Sequence, residues 1–420
     1  MSHLQLYAAG SNARGQLATR DCEDAHTFTP CSFGDLTTEI QPLHVNSLVQ
    51  IACGANHTLA LLKRSTDGTT ELWGCGDGSK GQLGTLPSSS STTEFRLLSL
   101  KHPFPGYSIK SVACGWETSY LVLAKPQEDD VVVSFGSNDF GALGPSQTTE
   151  IAIGRVNHVQ LPLPPSVINT KPYKLTVDSL SASVHHVIVT ANIFQDNQAR
   201  TVVYGWGACR TGQLGTLLKS GRSISFSPNP VIVYEAPLSG QIASSAVGTQ
   251  HTVLLDSASK IFSFGSNRKQ QLTGVEALKN VTHIGCTWNG TYVAVLDGGQ
   301  WSILATGDNN KGQLGSPQSP DASLALPRAV HFPFTTQSHS LIKFACGSEH
   351  ILCLFTLKDS AQPKSEVWGW GWNEHGNLGL GHTADVNVPM RIWSSSGDST
   401  QPDGVNIWAG CGTSWISCLS

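Results

Sequence analysis

Charged residues are scarce in this sequence. Asp, Glu, Lys and Arg together account for 13% of the 420 residues, and methionine occurs only twice. Long solvent-exposed helices need many Glu and Lys residues, so the shortage disfavours an α-helical protein. The formal net charge is −4, which leaves no overall positive field to attract DNA or an anionic membrane. The composition therefore predicts no direct DNA contact and no membrane partner.

Targeting and cross-linking signals are also missing. The N-terminus, MSHLQLYAAGSN, has no basic start followed by an apolar core. No apolar run approaches the roughly 20 residues of a membrane helix. The eleven cysteines include no C-x-x-C pair. Together these absences predict a reduced protein of the cytoplasm, with the nucleus as a second expected location.

Motifs of common active sites are absent, with one exception. The chain contains no P-loop, no G-x-S-x-G nucleophile motif and no H-E-x-x-H metal motif. We therefore expect a protein that is not an enzyme, with no catalytic residues, no metal ligands and no cofactor. The exception is GDGSKGQLG at 76–84, in which Gly76, Gly78 and Gly81 match the G-x-G-x-x-G spacing of a dinucleotide-binding loop.

This glycine phrase recurs, which changes its interpretation. Its seven copies are GSNARGQLA at 10–18, GDGSKGQLG at 76–84, GSNDFGALG at 136–144, GACRTGQLG at 207–215, GSNRKQQLT at 265–273, GDNNKGQLG at 307–315 and GWNEHGNLG at 371–379. Asparagine replaces Gly78 in five copies, whereas a dinucleotide site needs glycine there so that phosphate can approach the backbone. Glycine and asparagine both tolerate a positive φ angle. The exchange therefore predicts a turn with positive φ at this position.

A second phrase, the ACG phrase, alternates with the first. Its seven copies are ACGANHTLALL at 52–62, ACGWETSYLVL at 113–123, SASVHHVIV at 181–189, VGTQHTVLL at 247–255, GCTWNGTYVAVL at 285–296, ACGSEHILCLF at 345–355 and GCGTSWISCL at 410–419. Each copy joins a small-residue turn to an apolar run of strand length, and in most copies a polar loop and a second apolar run follow. This order predicts a β-hairpin in every repeat.

The order of the two phrases predicts a closed ring. The first glycine phrase has no ACG phrase before it, and the last ACG phrase has no glycine phrase after it. Pairing strands from the two termini would complete a seventh unit and remove the exposed sheet edges of a linear array. We therefore predict an all-β fold, a single seven-bladed β-propeller over residues 1–420, closed by strands from both termini.

Cysteines and histidines recur at fixed places in the ACG phrase. The cysteines interpreted as one register are Cys53, Cys114, Cys286, Cys346 and Cys411. We interpret them as small buried apolar residues, although a metal site is the alternative. The histidines of a second register are His57, His186, His251 and His350, with Thr118, Gly290 and Trp415 in other copies. A repeated histidine predicts a repeated structural hydrogen bond inside each blade.

Residues that break the repeat are the candidates for binding a partner. A propeller repeats its structural positions, so unusual aromatic and charged residues beside the turns are natural contact residues, and tryptophan is enriched at binding hot spots. The predicted partner-binding residues are Trp116, Glu117, Trp288, Asn289, Glu349, Trp370, Trp372, Glu374, His375 and Trp415. The alternative for each indole is packing between blades.

The paired phrases resemble the regulator-of-chromosome-condensation repeat. The stretches ACGWETSY at 113–120, GCTWNGTY at 285–292 and WGWGWNEHGNLG at 368–379 are similar to a fungal branch, the killer-toxin-insensitivity propeller of the Elongator pathway, also called the alpha-tubulin suppressor. That resemblance implies a non-catalytic protein in a heterodimer with a small CSL-type zinc protein of diphthamide synthesis. The pair would support Elongator-dependent tRNA wobble-uridine modification and diphthamide biosynthesis. The zinc would belong to the partner, because this chain lacks the ligand spacing.

Guanine-nucleotide exchange on a small Ran-like GTPase is the alternative function. The founding member of the wider repeat family performs this exchange, and such a propeller would bind the nucleotide-free GTPase. The chain has no basic N-terminal tail for chromatin, and the residues around Trp116 and Glu374 depart from the generic repeat. These features favour the adaptor hypothesis, and an exchange assay separates the two.

Overall fold

Seven antiparallel β-sheets surround a common axis in the computed structural model, as the sequence predicts. The model describes residues 4–34, 45–84, 91–145, 154–168, 171–219, 221–238, 240–317, 327–358, 364–395 and 405–419. Among the described residues no helix is long and apolar enough to cross a membrane, and the helical turns are the short 3-10 turns Asp139–Gly141 and Val275–Ala277.

The strands follow the repeats along the chain. They are β1 (Leu4–Gly10), β2 (Ala25–Pro30), β3 (Val45–Cys53), β4 (His57–Arg64), β5 (Thr70–Asp77), β6 (Ser91–Leu97), β7 (Ser108–Cys114), β8 (Thr118–Ala124), β9 (Val131–Gly136), β10 (Asn157–Val159), β11 (Lys174–Ala182), β12 (His186–Gln195), β13 (Gln198–Ala208), β14 (Leu218–Lys219), β15 (Arg222–Ser223), β16 (Phe226–Glu235), β17 (Ile242–Val247), β18 (His251–Asp256), β19 (Ile261–Gly265), β20 (Val281–Cys286), β21 (Gly290–Asp297), β22 (Gln300–Gly307), β23 (Arg328–Ala329), β24 (His339–Cys346), β25 (His350–Leu357), β26 (Ser365–Gly371), β27 (Val386–Ser394), β28 (Asn406–Ala409) and β29 (Thr413–Leu419).

The sheets form seven blades. Blade 1 contains β3–β6, blade 2 β7–β10, blade 3 β11–β13 and β16, blade 4 β17–β19, blade 5 β20–β23, blade 6 β24–β27, and blade 7 β28, β29, β1 and β2, while β14 and β15 form a separate hairpin. The innermost strands β3, β7, β11, β17, β20, β24 and β28 contact one another in a closed cycle. The second strands are largely buried because neighbouring blades cover both of their faces; β4 and β8 are each buried over six consecutive residues.

Strands from both ends of the chain close the ring, and this prediction is confirmed. In blade 7, β1 pairs with β29 from Leu4 opposite Leu419 to Gly10 opposite Thr413. The outer strand of the same blade is β2, so the N-terminal region supplies two strands and the C-terminal region the other two. The pairing covers strand edges that would otherwise be exposed.

Both phrases meet at the same end of every blade. The first glycine of each glycine phrase has positive φ; these residues are Gly10, Gly76, Gly136, Gly207, Gly265, Gly307 and Gly371. A Cβ at Gly371 would overlap the carbonyl oxygen of Glu349 in the adjacent turn. The amide of the next residue, Trp372, donates to that same oxygen at 2.9 Å. Glycine is therefore required where the glycine phrase crosses the turn of the ACG phrase.

At the third position of the glycine phrase, where most copies have asparagine, the predicted positive φ angle is wrong. The phrase is a turn, but Asn138 has φ of −110°, and neither Gly78 nor any asparagine at this position has positive φ. Instead, the asparagine side chain accepts a hydrogen bond from the leucine amide five residues later, as in Asn138 with Leu143 at 3.0 Å and Asn373 with Leu378 at 2.8 Å. Asparagine is present for its carbonyl oxygen, which closes the turn.

The repeated histidines form hydrogen bonds between blades, not within them as the sequence suggested. The Nε2 atom of His57 lies 3.0 Å from Oγ of Ser119 in blade 2, and His350 lies 3.0 Å from Oγ of Ser414 in blade 7. Burial lowers the pKa of His350 to about 4, so the ring is neutral at pH 7. In blade 7 the equivalent residue is Thr413, because its carbonyl accepts from Gly410 as that of His350 accepts from Gly347. Trp415 is not in this register.

Candidate functional site

The end of the propeller that carries both phrases surrounds a small axial cavity; we call this end the phrase face. The cavity has a volume of about 130 Å³ and is lined by the ACG-phrase turns of all seven blades. Backbone hydrogen bonds join neighbouring turns around it, including Ala55 to Trp116 at 2.9 Å and Trp116 to Val184 at 3.1 Å. These hydrogen bonds connect the turns into a ring around the cavity and so fix the positions of the side chains that the turns carry.

Thiols lie around this cavity. Cys53, Cys114, Cys286 and Cys346 end four inner strands at equivalent positions. Cys411 also lines the cavity, but it occupies the position of Ala55 because Gly410 takes the place of Gly54; the single register inferred from the sequence is therefore wrong for this residue. Burial raises the pKa of Cys53 to about 11, which keeps the thiol protonated and unreactive. Among the described residues no group of three or more His, Cys, Asp or Glu side chains could hold a metal ion.

Trp116 and Trp288 meet at the mouth of the cavity. They come from blades 2 and 5, which lie on opposite sides of the axis, yet their ring centroids are 6.2 Å apart at an angle of 46°. Trp116 is 37% exposed and Trp288 is half-buried. The amide of Trp288 donates to the carbonyl of Ser348 at 2.7 Å. Two indoles that the sequence places 172 residues apart, as the difference of their numbers, therefore form one aromatic surface.

Carboxylates stand beside these indoles. Glu117 follows Trp116 and is half-buried. Glu349 follows Ser348 and is also half-buried; burial, and to a lesser extent the charge of Asp308, raises the pKa of Glu349, while a hydrogen bond with the side chain of Asn289 opposes the shift. Five of the predicted residues thus lie in ACG-phrase turns of three blades. They are Trp116 and Glu117 of blade 2, Trp288 and Asn289 of blade 5, and Glu349 of blade 6.

A second group of predicted residues lies farther from the axis. Trp372 and His375 pack at right angles with centroids 5.2 Å apart. The Nδ1 atom of His375 lies 2.6 Å from Oδ2 of Asp24, which ties blade 6 to blade 7. Glu374 is exposed and forms an ion pair with Lys311, and this hydrogen bond lowers the pKa of Glu374. These three residues present a mixed aromatic and charged edge on the phrase face.

For two residues, the prediction of partner contact is wrong because their side chains are buried. Trp370 is fully buried, and its indole donates to the carbonyl of Gln313 in blade 5 at 2.8 Å. Trp415 is fully buried as well and packs against Phe95 with centroids 6.0 Å apart. Both indoles fill space between blades, which was the alternative interpretation, and neither has surface to offer a partner.

Sequence reasoning missed two aromatic residues of the phrase face. Phe140 is 48% exposed, and its ring lies 4.5 Å from that of His185. Other copies of the glycine phrase have Arg14, Lys80, Thr211, Lys269, Lys311 or His375 at the position of Phe140. An apolar residue at a position that is polar or charged in every other copy indicates a surface contact, and this sequence signal identifies Phe140.

Comparison with known proteins finds similarity to proteins that contain RCC1 repeats. Models of the regulator of chromosome condensation (RCC1) repeat match residues 5–61, 302–354 and 364–414, and a second model of the same description matches 48–82. The ultraviolet-B receptor UVR8 of Arabidopsis thaliana is 26% identical over 97% of this chain and 82% of its own length. The secretion-regulating guanine nucleotide exchange factor of Mus musculus is 26% identical over 92% of this chain and 78% of its own. The crystal structure of human WBSCR16 covers 99% of both chains with a TM-score of 0.67 and 20% identity. Parts of the chain are therefore similar to the RCC1 repeat, and its fold is similar to that of the WBSCR16 structure.

Proposed function

We propose that this chain is a non-catalytic adaptor that binds another protein through the phrase face. The observation that carries the proposal is the common location of the residues that break the repeat. Eight of the ten predicted contact residues are exposed or half-buried at this one end of the propeller, and two of them, Trp116 and Trp288, line the axial cavity. Exposed tryptophan side chains are typical of surfaces that bind proteins.

The resemblance of the sequence to the fungal Elongator-pathway propeller supplies the identity of the partner in this proposal. A small CSL-type zinc protein would bind the phrase face, and the heterodimer would support Elongator-dependent tRNA wobble-uridine modification and diphthamide biosynthesis. In this proposal the zinc would belong to the partner. The indirect connection to Elongator runs through this partner.

Size-exclusion chromatography with the purified CSL-type zinc protein tests the proposal. We expect a stoichiometric complex, and we expect Trp116→Ala to weaken it about 10-fold or more, as for a tryptophan hot spot. Phe194→Ala is the matched control, because Phe194 is 43% exposed at the opposite end of blade 3. Absence of a complex at micromolar concentrations, or an equal loss in both variants, would overturn the adaptor proposal.

Guanine-nucleotide exchange is the second candidate, and similarity to the Mus musculus exchange factor favours it. In this case the phrase face would bind a nucleotide-free small GTPase of the Ran type. Acceleration of labelled GDP release from such a GTPase by the wild-type chain, lost in Trp116→Ala, would support exchange activity. An unchanged release rate would exclude it for that GTPase.

A further inference from the structure

Phe140 has a backbone conformation that its counterparts in the other blades lack. Its φ and ψ angles are 57° and 21°, the left-handed region that a bulky side chain rarely adopts. No counterpart of Phe140 in the other six glycine phrases has positive φ. A left-handed conformation is costly for a non-glycine residue, and such strain concentrates at functional sites.

One substitution in the phrase accompanies the unusual conformation. In five other blades a glutamine two residues further on accepts a hydrogen bond from the backbone amide at this position, as Gln16 does from Arg14 and Gln82 from Lys80, both at 2.8 Å. Blade 2 has Ala142 instead of glutamine. There the segment forms a 3-10 turn, and the ring of Phe140 lies on the surface against His185. In blade 6, Asn377 also makes no such contact, but His375 has no positive φ, so the left-handed residue at this position is specific to blade 2.

Phe140 and His185 form a second aromatic pair on the phrase face, beside the pair at the axis. His185 lies 4.5 Å from Phe140, and Trp116 donates its backbone amide to Val184, the neighbour of His185. Trp116 in turn lies 6.2 Å from Trp288. We call Trp288, Trp116, His185 and Phe140 the aromatic band. It runs from the axial mouth across blades 2 and 3.

Negative charge accompanies the band along its length. Glu349 lies beside Trp288, Glu117 follows Trp116, and Asp139 precedes Phe140. None of these three carboxylates has a cation within ion-pair distance among the residues that the structure describes. On the phrase face, the described turns of blades 2 and 3 contain a single Lys or Arg residue, Arg210. Near Glu349, Lys311 and Lys269 partly offset the negative charge. A partner that complements this surface therefore carries positive charge.

We propose that the aromatic band binds an extended segment of a protein partner in which Arg or Lys side chains alternate with apolar ones. Cationic side chains bind the faces of Trp and Phe rings and pair with nearby carboxylates. In an extended segment, neighbouring side chains on the same side are about 7 Å apart. This spacing is close to the 6.2 Å between the ring centroids of Trp116 and Trp288. The inference deepens the proposed function, on which it rests for the presence of a protein partner at this face.

A peptide titration of the full chain tests the band. The probe is a fluorescein-labelled synthetic peptide of alternating arginine and leucine, and peptides of alternating glutamate and leucine or of arginine and glycine are controls. We expect saturable binding of the arginine–leucine peptide, weakened about 10-fold by Phe140→Ala and by the pair Glu117→Gln and Asp139→Asn. Phe194→Ala, with an equally exposed phenylalanine at the other end of blade 3, should bind normally.

Three results would overturn the inference. These are no saturable binding below about 1 mM peptide, equal binding of the glutamate–leucine peptide, and equal loss in Phe140→Ala and Phe194→Ala. Thermal unfolding of each variant shows whether it is folded. Failure of this inference is distinguishable from failure of the adaptor proposal. If the zinc-protein complex forms but the peptide does not bind, only the inference about the band is refuted. If the peptide binds but that complex does not form, only the identity of the partner is refuted.

Discussion

Replacing His350 by glutamine should remove part of the acid sensitivity of the fold. Burial lowers the pKa of His350 to about 4, against about 6.5 in an unfolded chain. Between these pH values the unfolded state binds a proton that the folded state excludes, so the free energy of unfolding falls as the pH falls. The contribution is fully present above pH about 6.5 and is lost progressively toward pH about 4. At pH 5.5, about one unit below the unfolded value, the loss is about 1.4 kcal/mol.

Glutamine is a suitable replacement because its amide can donate to Oγ of Ser414, which lies 3.0 Å from Nε2 of His350. Urea unfolding followed by tryptophan fluorescence at pH 7.5 and 5.5 measures the effect. We expect the difference between the two pH values to be about 1.4 kcal/mol smaller in His350→Gln than in the wild type. His283→Gln, at an exposed histidine of β20, is the control and should retain the wild-type difference. An unchanged difference in His350→Gln would refute the reasoning, and so would an equal decrease in the control.

Three further outcomes follow from the structure. Gly371→Ala should lower the midpoint of urea unfolding strongly, by the equivalent of several kcal/mol, because its Cβ would overlap the carbonyl of Glu349; a midpoint within error of the wild type would contradict this. Titration of the native chain with a thiol reagent should show Cys22 reacting first, since it is the exposed thiol and the others are buried or half-buried; early labelling of an axial cysteine, identified by mass spectrometry, would contradict this. Ala142→Gln should supply the missing acceptor for the amide of Phe140, raise the free energy of unfolding by about 1 kcal/mol and weaken the peptide binding proposed for the band. A lower free energy of unfolding with unchanged peptide binding would argue against this role of the glutamine.

The sequence alone determined the architecture because the two phrases repeat. Seven copies of each phrase specify seven hairpins, and their offset at the two ends requires β1 and β29 to share a blade. The turn at Gly76 was also predictable, since a nucleotide loop does not accept asparagine at the position of Gly78. The candidate contact residues were predictable as a class, because a residue such as Trp116 or Glu117 departs from a repeated pattern.

Only the tertiary structure decided which of those residues reach the surface. Trp370 and Trp288 both stand beside turns, yet Trp370 ends a third strand and fills the gap to blade 5, whereas Trp288 lies in the turn itself and reaches the axis. The shift of Cys411 became visible only from the hydrogen bond between Gly410 and Thr413, and the left-handed backbone of Phe140 only from the 3-10 turn of blade 2. Periodicity fixes which strands form, but the exposure of each side chain depends on the neighbouring blade that covers it, and that neighbour is distant in the chain.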